Sequence, residues 1–121
     1  MKTKSLFSSF KYAFLGIRET AKRERNFRIQ ILAAIFAVAA CIVFRVSAFH
    51  FALVAFAIFF VLAAELFNTA IEAVVDLVCR GKPHPLARIA KDASAGAVLL
   101  ASAFSVVAGM IVAADIIGRF L

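Results

Sequence analysis

Four polar residues, Glu65, Asn68, Glu72 and Asp76, are spaced i, i+3, i+7 and i+11. At ~100° per residue they fall within roughly 80° of one helical face. Three carboxyls stacked on one stripe repel each other, and Glu65 follows directly on an apolar run of spanning length. An ionisable residue at that depth is costly, which makes it a functional-site candidate by default. Something cationic is expected to meet the stripe. Glu72 and Glu24 are hard oxygen ligands suited to Mg²⁺, which usually arrives with substrate phosphates. Lys82 and Lys91 can neutralise phosphate charge, and Glu65, deeper in the membrane, can accept a proton from an alcohol. Phosphoryl transfer needs little beyond positioning, metal and charge compensation. These residue types therefore point to a kinase for a lipid hydroxyl. A polar seam that only glues helices together uses the same residues without chemistry.

The elements that must position them are helices in a bilayer. Of 121 residues, 64% are hydrophobic, against about half in a soluble domain. Apolar runs extend from Ile29 to Phe44 (16 residues), Val46 to Ala64 (19 residues, broken only by His50) and Ala93 to Ala114 (22 residues). Each approaches the roughly 20 residues of a spanning helix, and Arg28 and Arg45 can snorkel from the ends of the first. Glu65 to Asp76 continues the second run, so one helix is expected from Ala48 to Cys79. Its 32 residues make ~48 Å, more than ~30 Å of hydrocarbon. Gly81, Pro83 and Pro85 then end it. Ahead of the first run, Leu6, Phe10, Ala13, Phe14, Ile17 and Ala21 share a stripe flanked by Lys11, Arg18, Lys22 and Arg25. That pattern predicts an amphipathic helix lying at the membrane surface. Glu24 and Arg28 fall on its apolar stripe, where an i,i+4 ion pair is the simplest account of them. The expected fold is an all-α membrane protein of a single domain over 1–121. It has a surface helix over 1–28 and membrane helices over about 29–45, 47–79 and 91–118.

Charge placement sets the expected orientation and excludes other classes. The net charge is +7, with 14 Lys and Arg against 7 Asp and Glu. Twelve of the basic residues, from Lys2 and Lys4 to Arg28 and then Arg80, Lys82, Arg88 and Lys91, flank one side of the spans. Only Arg45 and Arg119 flank the other. The positive-inside bias predicts a cytoplasmic N-terminus and 79–92 loop. Basic residues beside apolar spans read as a membrane-surface pattern rather than a nucleic-acid footprint. Val38 to Cys41 imitates a lipoprotein cleavage box, but the basic region before it is too long. Cys41 and Cys79 lack CxxC spacing and read as packing residues. Gly81-Lys82 lacks the remaining residues of a P-loop. His50 reads as an outer-interface residue rather than a metal ligand. Ser94 and Gly96 are small and allow close helix packing. A proton-coupled transporter with Glu65 as relay is the alternative of a different class. It leaves Lys91, Asp92, Glu24 and the basic 80–91 segment without a role.

The stretch from Glu65 to Asp76 resembles the signature of the small bacterial integral-membrane diacylglycerol kinase family, which is unrelated in fold to soluble kinases. Glu24 to Arg28 and Ala90-Lys91-Asp92 resemble its other two motifs in order and spacing, and the likeness covers nearly the whole chain. The resemblance implies a homotrimer in the bacterial inner membrane, with composite sites shared between neighbours. It implies transfer of the γ-phosphate of MgATP to a lipid alcohol at the cytoplasmic interface. By matching position it makes Glu65 the general base and Glu24 and Glu72 the metal holders, with Asn68 orienting groups near the γ-phosphate. It puts Lys91, Asp92, His84 and Tyr12 on the nucleotide, joined by Lys82 and by Asp76, whose role it leaves open. It turns Glu24 and Arg28 toward the site and sets Arg28 and Ala95 beside the lipid substrate. His84 to Ala87 and Asp92 to Val98 resemble the undecaprenol kinase branch more than the diacylglycerol kinases of Gram-negative bacteria. In the latter a serine usually stands at the position of Ala95, whereas here Ser94 is displaced by one. Undecaprenol is the expected substrate and diacylglycerol the alternative.

Overall fold

A computed structural model describes residues 5–121 as four helices: α1 (Leu6–Arg23), α2 (Arg25–Val43), α3 (Ala48–Cys79) and α4 (Pro85–Phe120). Lys2 and Lys4 lie outside the described residues. The last three helices are each long and apolar enough to cross a membrane. Within them every backbone group can be satisfied along its own helix, which is what hydrocarbon demands.

The boundaries follow from caps. Ser5 Oγ accepts from the Ser8 amide at 3.2 Å and starts α1. The chain then breaks at Glu24, whose backbone is extended (φ −108°). The first helix therefore ends at Arg23, not at residue 28. Arg28 supplies the reason: its guanidinium donates to the carbonyl oxygens of Ala21 (2.8 Å) and Lys22 (3.0 Å), capping α1 from the first turn of α2. The expected Glu24–Arg28 ion pair does not form, and α2 spans 25–43 instead of 29–45. Ser47 caps α3 by accepting from the His50 amide. That helix runs unbroken over 32 residues to an αL residue, Arg80 (φ 50°), followed by Gly81 at φ 80°. Two successive left-handed residues reverse the chain sharply, and glycine adopts the second at no steric cost. His84 Nδ1 accepts from the Leu86 amide at 3.0 Å and Pro85 takes the first helical position. As a result α4 starts at Pro85 rather than 91.

Packing is thin, as expected of helices whose outer faces meet lipid. Ala57 on α3 and Ala101 and Ala108 on α4 are buried, and α3 and α4 share the most extensive interface. Phe104 packs edge-on against Phe56 and Phe60. Cys41, Val54 and Val112 join α2, α3 and α4 at the end of the bundle away from Glu65. There Arg119 donates to the Phe44 carbonyl at 2.6 Å and lies 3.8 Å from Asp115, which is 3.9 Å from His50. Both cysteines are free.

Candidate active site

The polar residues converge where α2, α3 and α4 meet, toward the Cys79 end of α3. Glu65 is 2% exposed and takes two neutral donors: Gln30 Nε2 to Oε1 at 3.0 Å and Asn68 Nδ2 to Oε2 at 3.4 Å. The same Asn68 nitrogen donates to Glu72 Oε1 at 3.3 Å. One amide therefore bridges two carboxylates a helical turn to either side of it. Asn68 Oδ1 in turn accepts from Ser94 Oγ of α4 at 2.7 Å. A buried carboxylate must be hydrogen-bonded or paired, and here amides, not a cation, attend it. Among the described residues the expected cation meets the stripe at its far end, where Lys91 Nζ lies 2.7 Å from Asp76 Oδ1.

Glu24 sits half-buried at the α1–α2 break, close enough that its charge and that of Glu72 repel. Its carboxylate has no ion pair or side-chain hydrogen bond among the described residues, and the side chain does not cap α2. Among the described residues no three His, Cys, Asp or Glu side chains converge as a metal cage. A carboxylate pair with spare lone pairs nevertheless fits Mg²⁺, which takes one or two carboxylates and completes its shell with water and phosphate oxygens.

Beside the stripe opens a cleft of about 670 Å³ between the ends of α3 and α4. Asp76, Lys82, His84, Arg88, Lys91 and Asp92 line it. Five residues expected at a nucleotide thus share one cleft. His84 doubles as the helix cap, and Asp92, 74% exposed at its side chain, lies 3.8 Å from Arg88. Tyr12 is elsewhere: it lines a separate groove between α1 and α3, with Gly16, Thr20, Phe67 and Thr69. Arg28 is exposed with its guanidinium capping α1, and Ala95 is on an exposed face of α4. Two participants have weak signatures in the sequence. Gln30 is a lone amide inside an apolar run, and its other side-chain atom, Oε1, is buried without a partner. Ser94 reads as a packing residue, yet its hydroxyl reaches Asn68.

The arrangement sets a buried carboxylate, a carboxylate pair shared between α3 and the α1–α2 break, and a basic cleft at the Cys79 end of α3. The prokaryotic diacylglycerol kinase family profile matches residues 11–113. A diacylglycerol kinase of Synechocystis sp. is 40% identical over 105 residues, 87% of this chain, and the chain spans only 60% of that protein's length. The undecaprenol kinase of Bacillus subtilis is 40% identical over 106 residues, covering 88% of this chain and 85% of that protein. With three helices fit to span a bilayer and this match over most of its length, the chain belongs to the prokaryotic diacylglycerol kinase family of membrane lipid kinases.

Proposed function

We propose that this protein phosphorylates undecaprenol with ATP at the cytoplasmic face of the bacterial inner membrane. The observation that carries the reading is Glu65, a carboxylate buried where the apolar run of α3 ends, tied through Asn68 to a second carboxylate closer to a basic cleft. Glu65 accepts the proton of the lipid hydroxyl. The freed oxygen forms a bond to the γ-phosphorus, the bond from that phosphorus to the β–γ bridging oxygen breaks, and ADP leaves. Lys82 and Lys91 compensate phosphate charge from the cleft, with His84 and Asp92 beside them, while Asp76 holds Lys91 in place. Glu24 and Glu72 are the residues that would hold Mg²⁺, whose chemistry is to offset charge on the phosphate oxygens.

Identity alone does not separate the two substrate branches, at 40% in each case. The local sequence at His84 to Ala87 and Asp92 to Val98 supports undecaprenol. Lys and Arg placement supports a cytoplasmic N-terminus, and α1, with Leu6, Phe10 and Phe14 exposed, suits the membrane surface. A homotrimer with composite sites accommodates Tyr12: it lines a groove separate from the cleft of its own chain, so its place on a nucleotide would be in a neighbour's site.

The test is ATP consumption by purified protein with Mg²⁺ and undecaprenol or diacylglycerol in one detergent. Lipid-dependent turnover, faster on undecaprenol, is expected, and Glu65→Gln is expected to abolish it while nucleotide binding survives. A Glu65→Gln variant that keeps most activity removes the assigned base. A protein that consumes no ATP with either alcohol but moves protons in vesicles is a transporter instead.

A further inference from the structure

Ser94 Oγ lies 2.7 Å from Asn68 Oδ1 and 3.0 Å from the Lys91 carbonyl oxygen. Both neighbours are acceptors and the hydroxyl has one proton, so the shorter contact, to Asn68, competes with an ordinary helical back-bond. The two ends of a carboxamide are alike in shape and opposite in hydrogen-bonding sense. With Oδ1 accepting from Ser94, Nδ2 must face the carboxylates, where it donates to Glu65 and Glu72. Turned by half a rotation, the amide would set its oxygen against both carboxylates and lose both bonds. No other described hydrogen bond reaches Oδ1.

We infer that Ser94 is a positioning residue of the phosphoryl-transfer site: it fixes the sense of the Asn68 amide and thereby the placement of Glu65 relative to Glu72. The inference rests on the function proposed above. A purely structural serine would satisfy the Lys91 carbonyl and act independently of residue 68.

The experiment is a double-mutant cycle on the full chain in mixed lipid–detergent micelles, with initial rates measured against ATP and lipid. Ser94→Ala is expected to lower kcat about tenfold, the scale of one hydrogen bond to a charged network, with KM for ATP within about twofold. Ser94→Thr, which keeps the hydroxyl, is expected to retain most of the rate. In an Asn68→Ala background, Ser94→Ala is expected to change nothing further, because contacting residues couple. Ser94→Ala at the parental rate, or slowing both backgrounds by the same factor, overturns the inference. Where Asn68→Ala leaves no rate to compare, rescue by threonine decides: a Ser94→Thr variant as slow as Ser94→Ala overturns it. Should Ser94→Ala fail to accumulate, Ser94→Cys, of similar size and weaker as a donor, takes its place in the cycle. Failure of the wider reading is distinguishable, since it appears as activity surviving Glu65→Gln whatever Ser94 does.

Discussion

Replacing Gln30 by leucine should destabilise the fold far more than a single substitution in an apolar helix normally does. The amide donates at 3.0 Å to a carboxylate that is 2% exposed, so no water is at hand to take its place. What remains to Glu65 is the Asn68 nitrogen at 3.4 Å, near the outer limit of hydrogen-bond geometry. A hydrogen bond to a charged group contributes about 1.5–3 kcal/mol, and stranding a buried acceptor sits at the high end. A loss of about 2–3 kcal/mol corresponds to roughly a 30- to 150-fold fall in the folded-to-unfolded ratio. Reversible unfolding in a graded mixture of denaturing and mild detergents measures it. The companion variant, Gln30→Leu with Glu65→Leu, removes donor and acceptor together and should recover most of that stability while remaining inactive. A Gln30→Leu protein within about 0.5 kcal/mol of the parent, or a double variant no more stable than the single one, would show that the contact across α2 and α3 does not hold the carboxylate.

Lys91→Met should raise KM for ATP at least about tenfold. The same change should alter unfolding stability by less than about 1 kcal/mol, because the pair with Asp76 is substantially exposed (40% and 68%). Glu72→Gln should move the Mg²⁺ concentration for half-maximal rate upward by about tenfold or more and leave the lipid KM unchanged; a Mg²⁺ titration of initial rates checks this. His84→Ala should cost about 1 kcal/mol through the lost cap of α4. His84→Asn, which can still cap, should restore the stability, and any ATP-binding defect that persists in it isolates the contribution of the imidazole to nucleotide binding.

The stripe on α3 was legible because helical period is a local property: Glu65, Asn68, Glu72 and Asp76 align whatever packs against them. The long unbroken α3 and the turn at Gly81 followed for the same reason. What escaped depends on partners distant in the chain. Gln30 meets Glu65 across 35 residues, and one amide in an apolar run gives no periodic signal. Ser94 looks like a small packing residue until α4 lies beside Asn68. Pro85 reads as a breaker, yet with His84 as its cap it opens α4 and draws six residues of the expected loop into helix. Arg28 fell on the right stripe, but the break at Glu24 gave its guanidinium two nearby carbonyls to cap.

The clasp of Arg119 on Phe44, with His50 near Asp115, fixes the ends of three helices to a common level. From Ser47 at that level to Glu65 is 18 residues, or ~27 Å along the helix axis. Glu65, the proposed base, would therefore sit only a few ångströms short of the far edge of a ~30 Å hydrocarbon slab. Bilayer thickness then becomes a control on the chemistry: short-chain lipids would lift this carboxylate out to the headgroups, and long-chain ones would drown it beyond the reach of a phosphate.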